Sequence, residues 1–225
     1  MKGKDLIRVR HVWSLIKYLE QERKGLHVTD IVYGCPYYAK WASTRGREER
    51  RNIDEQGLIR LSVGKLLDTL DLGDWHHVKL TYGDLQGEID DIVELDGTLW
   101  IVDKKTVVEK PPREAHSHYV TQVQTYMVML KHGTVVSCEK GDLEELLKKV
   151  RTMPLKGAIL YVDVSASTRT MVSDVVEVPA PAPEFEDWLE WMLFEVEKEK
   201  PEKVVSWFCH YCPIMNTCWG EEANG

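Results

Sequence analysis

The chain has 225 residues, of which 43% are hydrophobic and 29% are charged, so we expect a packed soluble core. No apolar run approaches the roughly 20 residues of a membrane span, and the first residues lack a signal-peptide pattern, which predicts a cytoplasmic protein without a membrane partner. The net charge of −8 argues against a protein that coats nucleic acid, because phosphate binding depends on lysine and arginine, but it allows an enzyme with a local basic track.

Apolar periodicity divides the chain into helices and strands. Helical spacing predicts helices over 11–24, from an N-cap at Thr29 toward Trp41, and over 58–72, 113–132, 143–151 and 184–200. Alternating patterns and a buried-type apolar run predict strands over 76–108, 157–164 and 171–178. Because this order is not a regular βαβ alternation, we expect a mixed α/β or α+β fold in a single domain over 1–225.

One segment, from Gly87 to Thr106, predicts a β-hairpin. Asp96-Gly97 lies between apolar strand residues, which is a strong signal for a two-residue turn. In the register that this turn sets, Asp90 lies opposite Asp103 and Glu88 lies opposite Lys105. Directly opposed side chains share one face of a sheet, so the register selects Asp90 over its neighbour Asp91.

Two opposed carboxylates repel each other unless a cation lies between them, and Mg²⁺ or Mn²⁺ prefers such oxygen ligands. Lys105 on the same face could activate a water molecule or offset phosphate charge. The alternative is a solvated hairpin face with a Glu88–Lys105 pair. Ile92 and Ile101 on that face argue against full solvation.

The chain has five cysteines, an odd number that makes a disulfide framework unlikely and favours metal or cluster binding. Cys35 lies early, and the tail carries Cys209, Cys212 and Cys218. By spacing alone, such thiolates suit zinc at least as well as an iron–sulfur cluster. The remaining thiol, Cys138, is interpreted as having no role.

The motifs resemble those of the PD-(D/E)xK nuclease superfamily. The matching residues are Gly87-x-x-Asp90, followed by Asp103-x-Lys105. In the RecB-like branch a Gln-x-x-x-Tyr follows on the next helix, and here Gln122 and Tyr126 stand in that place. Residues four apart share one helix face, so both side chains could reach the same nucleotide. The resemblance implies a restriction-endonuclease-type core with a central mixed sheet flanked by helices, over about 58–178.

The cysteines extend this resemblance to the CRISPR-associated iron–sulfur exonucleases, Cas family four. One cysteine before the nuclease motifs and three after them match that family's arrangement. The resemblance implies a cluster, most often [4Fe–4S] although [2Fe–2S] also needs four thiolates. It would be held by Cys35, Cys209, Cys212 and Cys218 in a region formed by 29–45 with 201–220. Clustered aromatic residues beside Cys35 would pack around it or stack on bases; these are Tyr33, Tyr37, Tyr38 and Trp41.

The same resemblance implies cleavage of DNA from single-stranded ends with Mg²⁺ or Mn²⁺, and preparation of new spacers with the CRISPR integrase proteins. The family's first metal ligand is a histidine after a Gly-x-x-x spacing, but this chain has Gly64 followed by Asp68. Asp68 would then bind metal together with Asp90 and Asp103. The nearby His76 and His77 do not fit the spacing. The alternative function is a DNA-binding subunit, stabilised by a cluster or zinc, whose nuclease site is weakened.

Overall fold

The computed structural model of the protein describes residues 25–45, 63–64, 67, 69–107, 111–163 and 173–220. The helix predicted over 11–24, the metal ligand Asp68 and most of the helix predicted over 58–72 lie outside these ranges. The remaining elements predicted from the sequence can all be compared with the structure.

A seven-stranded mixed sheet forms the centre of the fold. Its strands are β1 (Leu26–His27), β2 (Trp75–Tyr82), β3 (Leu85–Leu95), β4 (Thr98–Val107), β5 (Thr134–Ser137), β6 (Leu155–Asp163) and β7 (Ser173–Val178). The order across the sheet is β5-β2-β3-β4-β6-β7, and β1 pairs with β3. The β4–β6 and β1–β3 pairs are parallel, whereas the other neighbours are antiparallel. The predicted mixed α/β architecture is therefore confirmed.

Helices flank this sheet. They are α1 (Val28–Ile31), α2 (Pro36–Arg45), α3 (Ser117–His132), α4 (Leu143–Thr152), α5 (Pro183–Glu197), a 3₁₀ helix (Trp207–Tyr211) and α6 (Met215–Gly220). Helix α3 packs against β4 and β6 and buries most of its second half, including Val123, Met127 and Leu130. Within the described ranges, none of the helices combines the length and the apolar character needed to span a bilayer.

The predicted hairpin turn is confirmed. Leu95 pairs with Thr98, and both turn residues have positive φ, 50° at Asp96 and 73° at Gly97, as a two-residue hairpin turn of type I′ requires. The register holds from this turn to the pair Asp91–Val102. The core side of the hairpin includes Ile92 and Ile101, both fully buried.

The N-terminal helix prediction is wrong in two respects. Thr29 lies inside α1, whose N-cap is His27, because the Asp30 carboxylate accepts a hydrogen bond from the His27 backbone N–H at 2.9 Å. The continuous helix toward Trp41 is interrupted, since Gly34 has φ of +71° and a new helix begins at Pro36. Glycine readily adopts this left-handed conformation and proline favours a helix's first position. The break places Cys35 at the start of α2.

Two further differences concern α3. The helix begins at Ser117 rather than at 113, and the strand β5 that follows it was not predicted. Four residues are too few to show a clear alternation, and β5 has only Val135 buried. It nevertheless pairs with β2 and forms one edge of the sheet.

Candidate functional site

Strands β3 and β4 separate beyond their last backbone pair, Asp91–Val102. One residue further on, the Asp90 carboxylate accepts a hydrogen bond from the Lys104 backbone N–H at 2.7 Å. Strand β1 then pairs with β3, where Leu26 lies beside Leu85. Because β2 occupies the other edge of β3, β1 takes the edge that β4 has left. The carboxylates predicted to bind metal therefore lie where the sheet opens.

The expected pairs Asp90–Asp103 and Glu88–Lys105 are both wrong, since the ladder between β3 and β4 ends at Asp91–Val102. Glu88 instead lies 2.6 Å from His77 Nδ1 and 3.9 Å from Lys79 Nζ, both on β2. Lys105 forms its ion pair with Asp103, at 2.8 Å. The alternative interpretation, a solvated hairpin face with a Glu88–Lys105 ion pair, therefore lacks that ion pair.

The alternation of β3 is also interrupted at Asp90. In the ladder between β2 and β3, the pair His76–Asp91 is followed by Val78–Ile89, so His77 and Asp90 are skipped. On β3, Ile89 and Ile92 are both fully buried although they are three residues apart. Residues on one face of a regular strand are separated by two, so the buried side changes at this point. Asp90 lies at the change, with its carboxylate directed to the backbone of β4.

Asp103 and Lys105 form an ion pair on one face of β4, in which the Lys105 side chain is 21% exposed. Asp103 is only 2% exposed. Burial disfavours the charged ammonium of Lys105, but the carboxylates of Asp103 and Asp90 outweigh it and raise the pKa of Lys105 above its ordinary value. Lys105 therefore stays protonated at neutral pH, and the negative charges of both carboxylates stabilise its ammonium.

Helix α3 brings Gln122 and Tyr126 to the same place. Both side chains are buried, and the Gln122 amide donates a hydrogen bond to the Tyr126 hydroxyl at 3.1 Å. Burial and the negative charge of Asp103 raise the pKa of Tyr126. The five residues predicted to be catalytic are thus brought together by two strands and one helix; these are Asp90, Asp103, Lys105, Gln122 and Tyr126.

Gly87 has a packing role in this arrangement. A Cβ atom at this position would lie 2.9 Å from Cε1 of Tyr126 and 3.0 Å from Cγ2 of Val28. Real Cβ atoms essentially never approach heavy atoms below 3.0 Å. The glycine of the Gly-x-x-Asp motif therefore allows the Tyr126 ring to pack directly on β3.

Asp91 belongs to a different network. It is fully buried, and its carboxylate lies 2.9 Å from Lys104 Nζ and 2.8 Å from His76 Nδ1. The backbone N–H groups of Leu72 and Gly73 also donate to it. With these partners the Asp91 carboxylate is fully engaged, whereas Asp90 accompanies Asp103 and Lys105. The structure supports the predicted distinction between the two aspartates.

Two further residues of α3, Tyr119 and His118, lie beside the site. Lys105 Nζ lies 4.9 Å from the centre of the Tyr119 ring, a cation–π contact. Burial, then the charges of His116 and Lys105, lower the pKa of His118. The sequence does contain a signal for Tyr119, because its spacing of three and seven residues from Gln122 and Tyr126 places all three on one helix face.

The four cysteines predicted to hold a cluster line one cavity. Cys35 comes from the start of α2, and Cys209, Cys212 and Cys218 come from the C-terminal tail. Burial raises the pKa of Cys212 and of Cys218, and each of these thiols also interacts with the other three cysteines of the cavity. Cys138 lies elsewhere and donates to the Gly141 carbonyl at 3.3 Å.

Aromatic rings connect this cavity with helix α3. Tyr33 stacks on Phe208 with ring centres 3.9 Å apart, and Tyr38 packs edge-on against the same ring. The ring centres of His118 and Trp207 lie 5.6 Å apart, and Trp207 is 49% exposed. Tyr33 and Tyr38 therefore pack beside the cysteines, as one of the two interpretations of these aromatics predicted, and the tail reaches the nuclease motifs.

The carboxylates of Asp90 and Asp103 fit a hard divalent cation, because both offer oxygen ligands near one another, where both act on Lys105. The third predicted ligand, Asp68, lies outside the described residues. Groups of three or more possible ligands within 4.8 Å of one another occur elsewhere in the described chain, and they include neither Asp90 nor Asp103.

Comparison with known proteins identifies the superfamily. The model of the PD-(D/E)XK nuclease superfamily matches residues 10–219, so the chain belongs to the PD-(D/E)XK nuclease superfamily. Members of this superfamily are nucleases that use divalent metals. No curated protein matches the chain.

Eleven chains of solved structures are similar in fold. The crystal structure of SSO0001 is one of them, with 16% sequence identity, a TM-score of 0.51, and coverage of 96% of both chains. At this identity the likeness concerns the fold alone, and it extends over nearly the whole length of each protein.

Proposed function

We propose that the protein is a metal-dependent DNA exonuclease that acts on single-stranded ends. The observation that carries the proposal is the convergence of Asp90, Asp103 and Lys105 at the opening of the sheet, beneath Gln122 and Tyr126. Two carboxylates and an ammonium beside the buried Gln122 and Tyr126 are the groups that hold a divalent cation and offset phosphate charge.

The two aspartates, together with Asp68, would hold the divalent ion. When bound, Mg²⁺ or Mn²⁺ would polarise the scissile phosphate and make a water molecule more acidic. Lys105 carries a raised pKa and is therefore suited to offset the charge that develops on the phosphate, rather than to accept a proton. Its ion pair with Asp103 holds the ammonium in place before DNA binds.

Gln122 and Tyr126 would position the nucleotide. Their mutual hydrogen bond and burial fix both side chains, so little freedom is lost when DNA arrives. The exposed Trp207 and the neighbouring His118 offer ring faces close to the site. Unpaired bases stack on such rings, which supports single-stranded DNA as the substrate.

We also propose an iron–sulfur cluster, [4Fe–4S] in preference to [2Fe–2S], held by Cys35, Cys209, Cys212 and Cys218. The shared cavity supports four ligands. Four thiolates suit zinc as well as iron, and the preference for a cluster rests on the family resemblance of the cysteine arrangement. The cluster would tie the N-terminal helices to the tail.

The cysteine arrangement further supports a role in preparing DNA for new CRISPR spacers, together with the integrase proteins. This part of the proposal depends on the family resemblance, which joins an early cysteine to three late ones around a RecB-like core. Co-purification with an integrase from the same genome, with and without the cluster, would examine it.

The activity is tested with anaerobically purified protein, Mn²⁺ or Mg²⁺, and labelled DNA of one sequence. The DNA is supplied as a linear single strand, as a closed single-stranded circle and as a linear duplex. An exonuclease degrades linear single strands and leaves the closed single-stranded circle intact, whereas duplex ends react more slowly. Cleavage of the circle would show an endonuclease. Binding without cleavage of any of the three forms would instead support the alternative function, a DNA-binding subunit. Asp96→Asn, in the hairpin turn, serves as the control variant.

A further inference from the structure

We propose a second metal site, separate from the nuclease carboxylates, formed by His76, His77 and Glu139 and suited to a zinc-class ion. A ring nitrogen of each histidine and a carboxylate oxygen of Glu139 all lie within 4.8 Å of one another. None of these residues belongs to the nuclease motifs or to the cysteine cavity.

The backbone of β2 brings two consecutive side chains together. Neighbouring residues of a strand normally point to opposite faces. His77 has φ of +47°, and the His76 and His77 ring centres lie only 4.1 Å apart, inclined at 61°. A positive φ is uncommon for a residue other than glycine and tends to occur at functional positions. Here it allows two imidazoles to face the same point.

His76 is oriented by a carboxylate as metal-binding histidines are, and His77 lies beside a second carboxylate. His76 Nδ1 donates to the Asp91 carboxylate at 2.8 Å, and His77 Nδ1 lies 2.6 Å from the Glu88 carboxylate. A metal-binding histidine usually gives its other ring N–H to a carboxylate, which fixes the ring and its tautomer. The Nδ1 proton of His76 is committed to Asp91 in this way, which leaves its Nε2 lone pair for a metal. The buried Nδ1 of His77 has no hydrogen-bond partner among the described residues.

Glu139 is the third ligand because of its backbone position and its charge. Its N–H donates to the His76 carbonyl at 3.0 Å, which fixes it beside β2. Asp71 and Asp91 also approach His76, but Lys140 lies 2.8 Å from Asp71 and Lys104 lies 2.9 Å from Asp91. Within the part of the chain that the structure describes, no lysine or arginine forms such an ion pair with Glu139.

The donor set indicates the class of ion. Two imidazoles and one carboxylate suit zinc and similar borderline ions, whereas Mg²⁺ and Mn²⁺ prefer oxygen ligands alone. His76 is buried and Glu139 is exposed, so the site is open on one side and has room for a water ligand. Zinc at this point would join the turn after β5 to the strand that supports Asp91.

Equilibrium dialysis against zinc measures how much zinc the protein binds. The protein is kept anaerobic so that its cysteine centre stays intact, and its iron content is recorded. We expect the wild type to bind one zinc beyond whatever the cysteines hold. Glu139→Gln and His77→Asn should each weaken this binding at least tenfold, while iron content and melting temperature without zinc stay unchanged. Glu139 is exposed and asparagine tolerates a positive φ, so both variants should fold.

Asp103→Asn is the matched control, since it removes a nuclease carboxylate and should keep the additional zinc. Zinc should also raise the melting temperature of the wild type but not that of the double variant His77→Asn, Glu139→Gln. No additional zinc in the wild type, or equal affinity in the double variant, would overturn the proposal. Loss of the additional zinc in Asp103→Asn alone would place the ion at the nuclease carboxylates and would likewise overturn it.

Discussion

The ammonium of Lys104 lies 2.9 Å from the Asp91 carboxylate, and both side chains are almost completely buried. Side chains alternate along β4, so Lys104 points away from the face that carries Asp103 and Lys105. Lys104 also donates to the Leu70 carbonyl at 2.8 Å, and Asp91 accepts from the backbone at Gly73. This pair therefore anchors the segment before β2 to the two strands that carry the nuclease carboxylates.

We predict that Asp91→Asn lowers the free energy of unfolding by about 3–5 kcal/mol, because it leaves Lys104 charged and buried without its partner. Urea unfolding monitored by circular dichroism, at equal iron content, measures the change. The neighbouring variant Asp90→Asn should cost about 1 kcal/mol, since it alters one hydrogen bond, but it should abolish cleavage. Equal stability of the two variants would contradict the separate roles of the two aspartates.

In the hairpin, the turn and the strand register near it could be predicted from the sequence, but the separation of the strands could not. The Asp96-Gly97 turn fixes the register locally, and the pairs Leu95–Thr98 to Asp91–Val102 follow it. The separation of β3 from β4 at Asp90 could not be predicted, because it depends on β1, a two-residue strand far away in the chain. Long-range pairing of so short a strand leaves no periodic signal.

The site residues could be predicted because their spacing is local in the sequence. Asp90, Asp103, Lys105, Gln122 and Tyr126 stand at motif spacings that the sequence displays directly. The positive φ of His77 and the position of Glu139 beside it depend on tertiary contacts of β2 with β3 and β5. Sequence spacing therefore excluded His76 and His77 from the nuclease site but could not indicate their contact with Glu139.

We expect Gly87→Ala to reduce activity through the position of Tyr126. The added methyl group would lie 2.9 Å from the ring and displace it, at a cost of about 1–3 kcal/mol in stability. The same change in a Tyr126→Ala background should cost less, because the ring that it displaces is absent. A double-mutant cycle on unfolding free energy measures the coupling, and additive costs would show that Tyr126 is not the residue displaced.

Lys105→Met should lower the cleavage rate by about 10²–10³-fold while DNA binding is retained, since one charge that stabilises the transition state is lost. Single-turnover cleavage and fluorescence anisotropy measure the two quantities separately. Lys156→Met is the matched control, because Lys156 lies on the adjacent strand and pairs with Glu177 at the surface. An equal loss of rate in both variants would argue that Lys105 has no special role.

The cysteine centre should be lost on Cys209→Ser. We expect bleaching of the visible absorption and a lower melting temperature, because a centre bound only in the folded state stabilises that state. In a domain of this size each ~1 kcal/mol lost lowers the melting temperature by roughly 2–4 °C. Cys138→Ser lies outside the cavity and should leave colour and stability nearly unchanged. A colourless wild type containing zinc would contradict the iron assignment and leave the four ligands in place.

The central claim is that Asp103 is a metal ligand of a DNA nuclease, and the rate of Mn²⁺-dependent degradation of linear single-stranded DNA tests it most directly. Asp103→Asn keeps the shape of the side chain and removes its charge. We expect Asp103→Asn to lose about a thousandfold or more in rate, with an unchanged circular dichroism spectrum and iron content, while Asp96→Asn retains full activity. Wild-type rates in Asp103→Asn, from protein shown to be free of contaminating nuclease, would contradict it.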